Sequence, residues 1–462
     1  MAQRFSAAIE FFFPLRALAS EVLSASWYTS APSKATRGGR PIMKRNILWA
    51  ISLRLLCCFA LSILAVHASA AEQEKVLHLF QASAGAFPAG NLIFDAAGNL
   101  YGTTQNGGSS SCPPLCGTVF ELTPAAGGHW NYSVLHVFTD PDGAYPWSGL
   151  IFDKAGNLYG TTSSGGAHAG GTVFELTPTS NGGWKEKTLH NFYSWRGDGV
   201  GPMGGLVMDQ AGNLYGTTLG GGACNNGTVF KVSPNASGGW IESVLYSFGC
   251  VPRDGTTPRA PLVLDSAGDL FGTTNAGGGT GCGGFGCGTV FELSHDGTVW
   301  TETVLYTFQG GVDAGNPLAG LLFDSSGDLY GTAPNGGTVG DGAVFELTPS
   351  PTGWNESVIY SFQQGPKDGN SPRGSLIFDS AGNLHGTASS GGIGNYGGVF
   401  TLTPNSNGGW TESDFFLFSL SGGAFPMAAL VLDSSGNLYG TTYAGGVAKG
   451  VEGYGVVFEI KP

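Results

Sequence analysis

A ten-residue segment returns seven times along this chain: DAAGNLYGTT at Asp95, DKAGNLYGTT at Asp153, DQAGNLYGTT at Asp209, DSAGDLFGTT at Asp265, DSSGDLYGTA at Asp324, DSAGNLHGTA at Asp379 and DSSGNLYGTT at Asp433. Successive copies stand 54 to 59 residues apart. A period of that length describes an array of supersecondary units that cover their apolar faces only by packing on one another.

The third copy shows what one unit contains. GLVMD (205–209) is a short apolar run and QAGN a turn; NLYGTT then alternates, and a glycine-rich loop leads to GTVFKVSP (227–234). After NASGG comes WIESVLYSF (240–248), alternating aromatic and polar residues. Period-two alternation, β-branched and aromatic enrichment and Gly/Asn/Asp/Pro punctuation make these four runs strands. Helices are disfavoured, because the 462 residues include 79 glycines and each one inside a helix costs roughly 1 kcal/mol relative to alanine. Disorder is excluded by 41% apolar and 12% aromatic content, and collagen by glycines without a three-residue period.

Four strands per repeat in a radial array make a β-propeller blade. The expected fold is therefore all-β, a seven-bladed β-propeller with strands A to D running from the innermost to the outermost in each blade. The last copy ends at GVVFEIKP (455–462), a strand C, while KVLHLF (75–80) precedes the first strand A and matches VLHVF at Val134, VLYSF at Val244 and VLYTF at Val304. That N-terminal strand is expected to complete the last blade, join the ends of the ring and remove its unpaired edge.

Repeats of the form D-x-x-G-N-L-Y-G-T-T, then G-G, then G-T-V-F-E-L-T-P resemble the GloVer tandem-repeat proteins, secreted bacterial proteins of undefined activity. The resemblance covers residues 75–462. More loosely, the G-L-x-x-D-x-x-G-N-L-Y core is similar to blades of NHL-type propellers. These resemblances imply export and a propeller, and supply no catalytic residues.

Residues 43–70 read MKRNILWAISLRLLCCFALSILAVHASA, with two basic residues, an apolar run and the small A-x-A triplet Ala68-Ser69-Ala70. This is the pattern of a secretory signal peptide starting at Met43, with the mature chain expected from about Ala71. Residues 1–42 read as an overextended start or a disordered extension. An uncleaved anchor over Ile47 to Val66 is the competing reading, weakened by Arg54 inside the run. The body, 71–462, holds 12 of the 20 basic and 31 of the 33 acidic side chains, a net charge of −19. Nucleic acid and anionic membranes need basic footprints, so neither is expected as a partner. The mature chain is expected outside the cell or in the periplasm, as a monomer with no stable membrane span and no cofactor.

The repeated Asp of D-x-x-G-N tempts as a calcium ligand, but one carboxylate and one amide per copy fit an Asp bonding its own turn better than a cation site. His78, His136 and His190 occupy the place of Tyr246, Tyr306 and Tyr360, and His385 replaces the Tyr of LYG. They read as aromatic fillers, and no metal site is expected. Six cysteines fall in loops: Cys112 and Cys116, Cys282 and Cys287, and Cys224 between strands B and C, and Cys250 after a strand D. An even number in an exported chain predicts disulfides Cys112–Cys116, Cys224–Cys250 and Cys282–Cys287, with zinc the lesser alternative.

The B–C and D–A loops of an up-and-down blade share one face. There a D-G-x-x-P loop begins at Asp142, Asp198, Asp254 and Asp368, with DAGNP at Asp313 and only GAFP in the first and last copies. Within that frame the residue after Pro varies: Ala89, Trp147, Met203, Arg259, Leu318, Arg373 and Met427. These side chains are expected to rim the mouth of the central channel, with Trp147, Arg259 and Arg373 facing solvent. Drifting surface is the bland explanation; a binding ring is the functional one, since Trp and Arg dominate binding hot spots. The close repetition, with no unique constellation of acid, base and stabiliser, points to a secreted, non-enzymatic propeller that binds an extracellular polysaccharide or protein through this face. The alternative is a lyase or glycoside-cleaving propeller using carboxylates such as Asp142 and Asp198 at the mouth.

Overall fold

A computed structural model describes residues 73–108, 116–193, 197–363, 365–446 and 453–461. The leader at 43–70, the stretch 1–42 and Cys112 lie outside these residues. Seven antiparallel sheets follow one another along the chain in the order A, B, C, D. Blade 1 shows the pattern: Ile93–Phe94, Leu100–Thr104, Thr118–Pro124 and Trp130–Val137. The seventh sheet closes the ring. Its strands Val431–Leu432, Leu438–Thr442 and Val456–Lys461 accept Gln73–Leu79 as the outermost strand, antiparallel, with Lys75 opposite Glu459 and Val76 opposite Phe458. The architecture is the seven-bladed propeller with N-terminal closure that the repeat predicts.

Strand B is buried along its whole length in six blades and over residues 384–389 of the longer strand in blade 6. Its central glycine has a steric cause: a Cβ on Gly102 would stand 2.6 Å from the ring of Phe120 and 2.9 Å from Leu92. That strand C phenylalanine meets the one ending strand D of the preceding blade. Seven such pairs, Phe138 with Phe174 and so on round to Phe80 with Phe120, lie edge to face with centroids 4.9 to 5.2 Å apart. Each contributes about 0.5–1.5 kcal/mol beyond area burial. The pair Phe80–Phe120 spans the closing seam, so the N-terminal strand locks the ring by core packing as well as by its ladder.

The D-x-x-G-N turns lie between strands A and B. Asp95 Oδ1 accepts the backbone N–H groups of Ala97 and Asn99, each at 2.9 Å. Its Oδ2 accepts Asn99 Nδ2 at 2.8 Å and the Tyr101 hydroxyl at 3.2 Å. In the equivalent Asp153, Asp209, Asp379 and Asp433, partial burial pushes the carboxyl up, but the same hydrogen bonds outweigh it and hold each below its ordinary value. The carboxylate is spent on its own turn, as the structural reading of this motif expects.

Candidate functional site

Thr217 lies on strand B of blade 3, and its buried hydroxyl donates 2.9 Å to the carbonyl of Ala260, the residue following Arg259 in blade 4. The same stitch joins Thr103 to Ser148, Thr161 to Gly204, Thr273 to Ala319, Thr332 to Gly374 and Thr387 to Ala428, at 2.8 to 3.4 Å. The backbone behind each of these six variable residues is thus held by the neighbouring blade. At the closing seam the corresponding Thr441 hydroxyl is buried without a partner.

The peptide just before these residues is held from both sides. In every blade the residue preceding Pro adopts a left-handed backbone: Phe87, Tyr145, Gly201, Thr257, Asn316, Ser371 and Phe425 have φ between 52° and 66°. For the six that are not glycine this conformation costs on the order of 1–3 kcal/mol each. Two hydrogen bonds offset it. Phe87 N–H donates 2.8 Å to the Tyr454 carbonyl in blade 7, and its own carbonyl accepts Gln105 N–H at 3.1 Å. Tyr145 N–H likewise reaches the Cys116 carbonyl at 2.9 Å, and Phe425 N–H the Tyr396 carbonyl at 2.9 Å. These bonds place D–A and B–C loops on one face, as expected.

Ala89, Trp147, Met203, Arg259, Leu318, Arg373 and Met427 converge on one cavity of about 440 Å³ at the channel mouth, lined also by strand A residues such as Ile93 and Ile151 and by Leu92 and Leu150 just before them. That volume is within the range, roughly 300–1,000 Å³, of small-molecule sites. Arg259 and Arg373 are exposed there, while Trp147, Met203, Leu318 and Met427 are half-buried. Ala89 is only 7% exposed. Trp147 was expected to face solvent, and it leans instead towards blade 7: its ring lies 6.3 Å from that of Tyr443 at 43°. At the position of Trp147, blade 1 between them has only the methyl group of Ala89.

No hydrogen bond or ion pair engages the guanidinium of Arg259 or Arg373 among the described residues. Partial desolvation, and then repulsion from Arg373, lower the Arg259 pKa from its ordinary value. Two like charges thus face each other across the cavity without a protein counter-charge.

Asp142 and Asp198 do not line the mouth. They fasten the D–A loops to the outer strands: Asp142 accepts Thr139 N–H at 2.8 Å and meets His136 Nε2 at 3.1 Å, and Asp198 meets His190 Nε2 at 3.2 Å. His136 and His190 pack edge-on to Phe138 and Phe192, filling an aromatic's place. His190, Asp198 and Glu242 bring their ligand atoms within 4.8 Å of one another. Of the cysteines, Cys224–Cys250 and Cys282–Cys287 form disulfides, and Cys116 is disulfide-bonded.

The Gloeobacter/Verrucomicrobia repeat model matches residues 65–285 and again 281–462. The chain belongs to this repeat family. In fold, this Gloeobacter/Verrucomicrobia repeat protein is similar to the extracellular domain of a putative hybrid two-component system from B. thetaiotaomicron, with TM-score 0.50 and 11% identity over 84% of this chain. It spans 39% of that protein's length. It is also similar to a luciferin-regenerating enzyme, with TM-score 0.43 and 11% identity, covering 85% of this chain and 95% of that one. At such identity the first likeness shows the fold alone. No curated protein sequence matches the chain.

Two sets of mouth residues escaped the sequence reading. One is the left-handed position before Pro, aromatic in Phe87, Tyr145 and Phe425. The other follows G-T-T or its variants and runs Gln105, Ser163, Leu219, Asn275, Pro334, Ser389, Tyr443. Both vary inside a fixed frame, the same signal that singled out the residue after Pro.

Proposed function

We propose that this protein is a secreted, non-catalytic binding propeller whose channel mouth takes an anionic group of an extracellular polymer. The observation that carries this is the pair Arg259 and Arg373, exposed into one cavity and free of any carboxylate partner in a chain whose body is strongly acidic. Guanidinium is the side chain suited to carboxylate or sulfate, through its planar fork of donors. Disulfides belong to an oxidising compartment, and no helix among the described residues is long and apolar enough to cross a membrane. The cleaving alternative loses its suggested acid pair, because Asp142 and Asp198 are engaged with His136 and His190 away from the mouth.

Titration calorimetry with trigalacturonate tests the reading, alongside a scan of the mixture for released product. The double variant Arg259→Ala/Arg373→Ala is expected to bind about a hundredfold more weakly, at roughly 1.4 kcal/mol for each charge-assisted contact. Parent binding should fall as salt rises, and no product should form. A double variant that binds like the parent sinks the proposal, and product release would make the protein an enzyme.

A further inference from the structure

A cluster of rings lies beside the other side of the mouth. Tyr443 of blade 7 stands between Phe87 and Trp147, with centroids 5.1 Å and 6.3 Å away, and Tyr454 meets Phe87 edge to face at 5.6 Å. At 43° and 6.3 Å, Trp147 and Tyr443 do not stack on each other, so neither spends its face on the other. Both rings are half-buried. The Tyr443 hydroxyl donates 2.9 Å to Gln105 Oε1, which orients the carboxamide and leaves its N–H₂ without a partner among the described residues. At the positions of Trp147 and Tyr443, blade 6 has Arg373 and Ser389, and blade 4 has Arg259 and Asn275. Trp147 thus lines the same cavity as Arg259 and Arg373, and Tyr443 stands beside Trp147.

We infer that the notch over blade 1, walled by Trp147 and Tyr443 and bordered by Gln105, is a sugar-stacking subsite, and that the anionic polymer at the mouth is an acidic polysaccharide. The inference rests on the proposed anion site and names its ligand class. A pyranose presents an apolar face of polarised C–H groups to the electron-rich face of an aromatic ring, while its equatorial hydroxyls seek planar donors such as the free Gln105 amide. A uronate supplies both halves: a ring for the notch and a carboxylate for the arginines. An acidic peptide supplies the charge but has no rigid ring with an apolar face to occupy the notch.

Three probes separate these contributions: trigalacturonate, its fully methyl-esterified form, and an oligoglutamate of equal charge. The parent is expected to bind trigalacturonate at least tenfold more tightly than either of the others. The test variants take residues that the same positions hold in other blades, Trp147→Met as at Met203 and Tyr443→Ser as at Ser389, so the frame should accept them. Together they are expected to lower trigalacturonate affinity about tenfold, to abolish binding of the methyl ester, and to leave oligoglutamate binding and the melting temperature unchanged. Equal binding of oligoglutamate and trigalacturonate by the parent overturns the inference in favour of an acidic polypeptide. Unchanged trigalacturonate affinity in the aromatic variants overturns it too, and if the arginine variant still loses binding, the anion site survives without the subsite. If instead the arginine variant is unaffected while the aromatic one fails, the anion site falls and a neutral-sugar site remains. Should the Trp147→Met melting temperature fall, Gln105→Ala provides a second reading at a half-buried residue outside the core: a loss of methyl-ester binding supports the subsite, and unchanged binding counts against it.

Discussion

Blades 7, 1 and 2 present rings beside the mouth and no Lys or Arg in their described D–A and B–C loops, whereas the loops entering blades 4 and 6 carry four exposed cations, Arg253, Arg259, Lys367 and Arg373. The backbone frame is the same in both arcs, down to the left-handed residue before Pro. The side chains on that residue differ: Phe87, Tyr145 and Phe425 in one arc, Thr257, Asn316 and Ser371 in the other. The contrast continues beneath the surface. On strand D, the position that is Glu186, Glu242, Glu302, Glu356 and Glu412 in blades 2 to 6 is Tyr132 in blade 1, and Tyr132 stacks on His78 across the closing seam at 3.9 Å and 6°. Blade 7 has Glu74 at this position, so among the seven blades only blade 1 replaces the carboxyl by a ring, and it does so at the closing seam. A repeat that fixes backbone geometry leaves side-chain chemistry free to differ from one sector to the next.

The largest expected effect breaks the aromatic arc at its base. Deleting residues 75–80 removes the outer strand of blade 7 together with Phe80, 4% exposed, and the partly buried Val76 and Leu77. At roughly 1.5–3 kcal/mol for each fully buried side chain, the loss rivals a whole domain stability of about 5–15 kcal/mol. Thermal melting by circular dichroism should show the cooperative transition lost or lowered by more than about 10 °C. An unchanged transition would contradict the closure.

A smaller effect is confined to the other arc. Cys224 and Cys250 are 26 residues apart, and their disulfide ties the B–C loop of blade 3 to the loop carrying Arg253 and Arg259. Replacing both by Ser is expected to destabilise the fold by about 3 kcal/mol. It should also weaken trigalacturonate binding while sparing the methyl ester. Equal weakening of both probes would show that the two arcs are not separable.

The smallest effect is a difference of sign with pH. Burial, and then the neighbouring Asp198, push Glu242 up to about 7; Glu302 and Glu356 rise to about 7 by burial and then Asp254 and Asp313. With folded values above the ordinary 4.5, these groups contribute stability that is fully present below that value and lost as pH rises towards 7. Burial lowers His78 from 6.5 to about 4, so the contribution of this ring is present above 6.5 and lost as pH falls towards 4, whereas Glu74 on the same strand is raised by burial and responds in the opposite sense. Acidification from neutral pH should therefore slow hydrogen exchange in strand Trp240–Ser247 and, with Glu74 replaced by Gln, speed it in Gln73–Leu79, after correction for intrinsic rates. Glu242→Gln should remove the first response and His78→Phe the second. Parallel responses in the two strands would erase the distinction between seam and interface.

The propeller was legible because its signals are local. Alternation marks each strand, the Asp of D-x-x-G-N closes its own turn within four residues, and the near-constant period counts the blades. The match of KVLHLF to other D strands even located the seam. At the mouth, the frame of the D-G-x-x-P loop showed which positions vary and that they would share one rim. Other features rest on contacts between residues from different blades and have no local signature. Trp147 leans to Tyr443 across blade 1, which has Ala89 at the position of Trp147. The hydroxyl of Thr217 holds the backbone beside Arg259, and Asp198 moves the titration of Glu242. The sequence by itself determined the blade, the number of blades and the varying ring, since turn chemistry and alternation act within one repeat. Only closing those repeats into a ring decided which variable residues face one another, since residues about 55 to 360 positions apart become neighbours only when the blades pack radially.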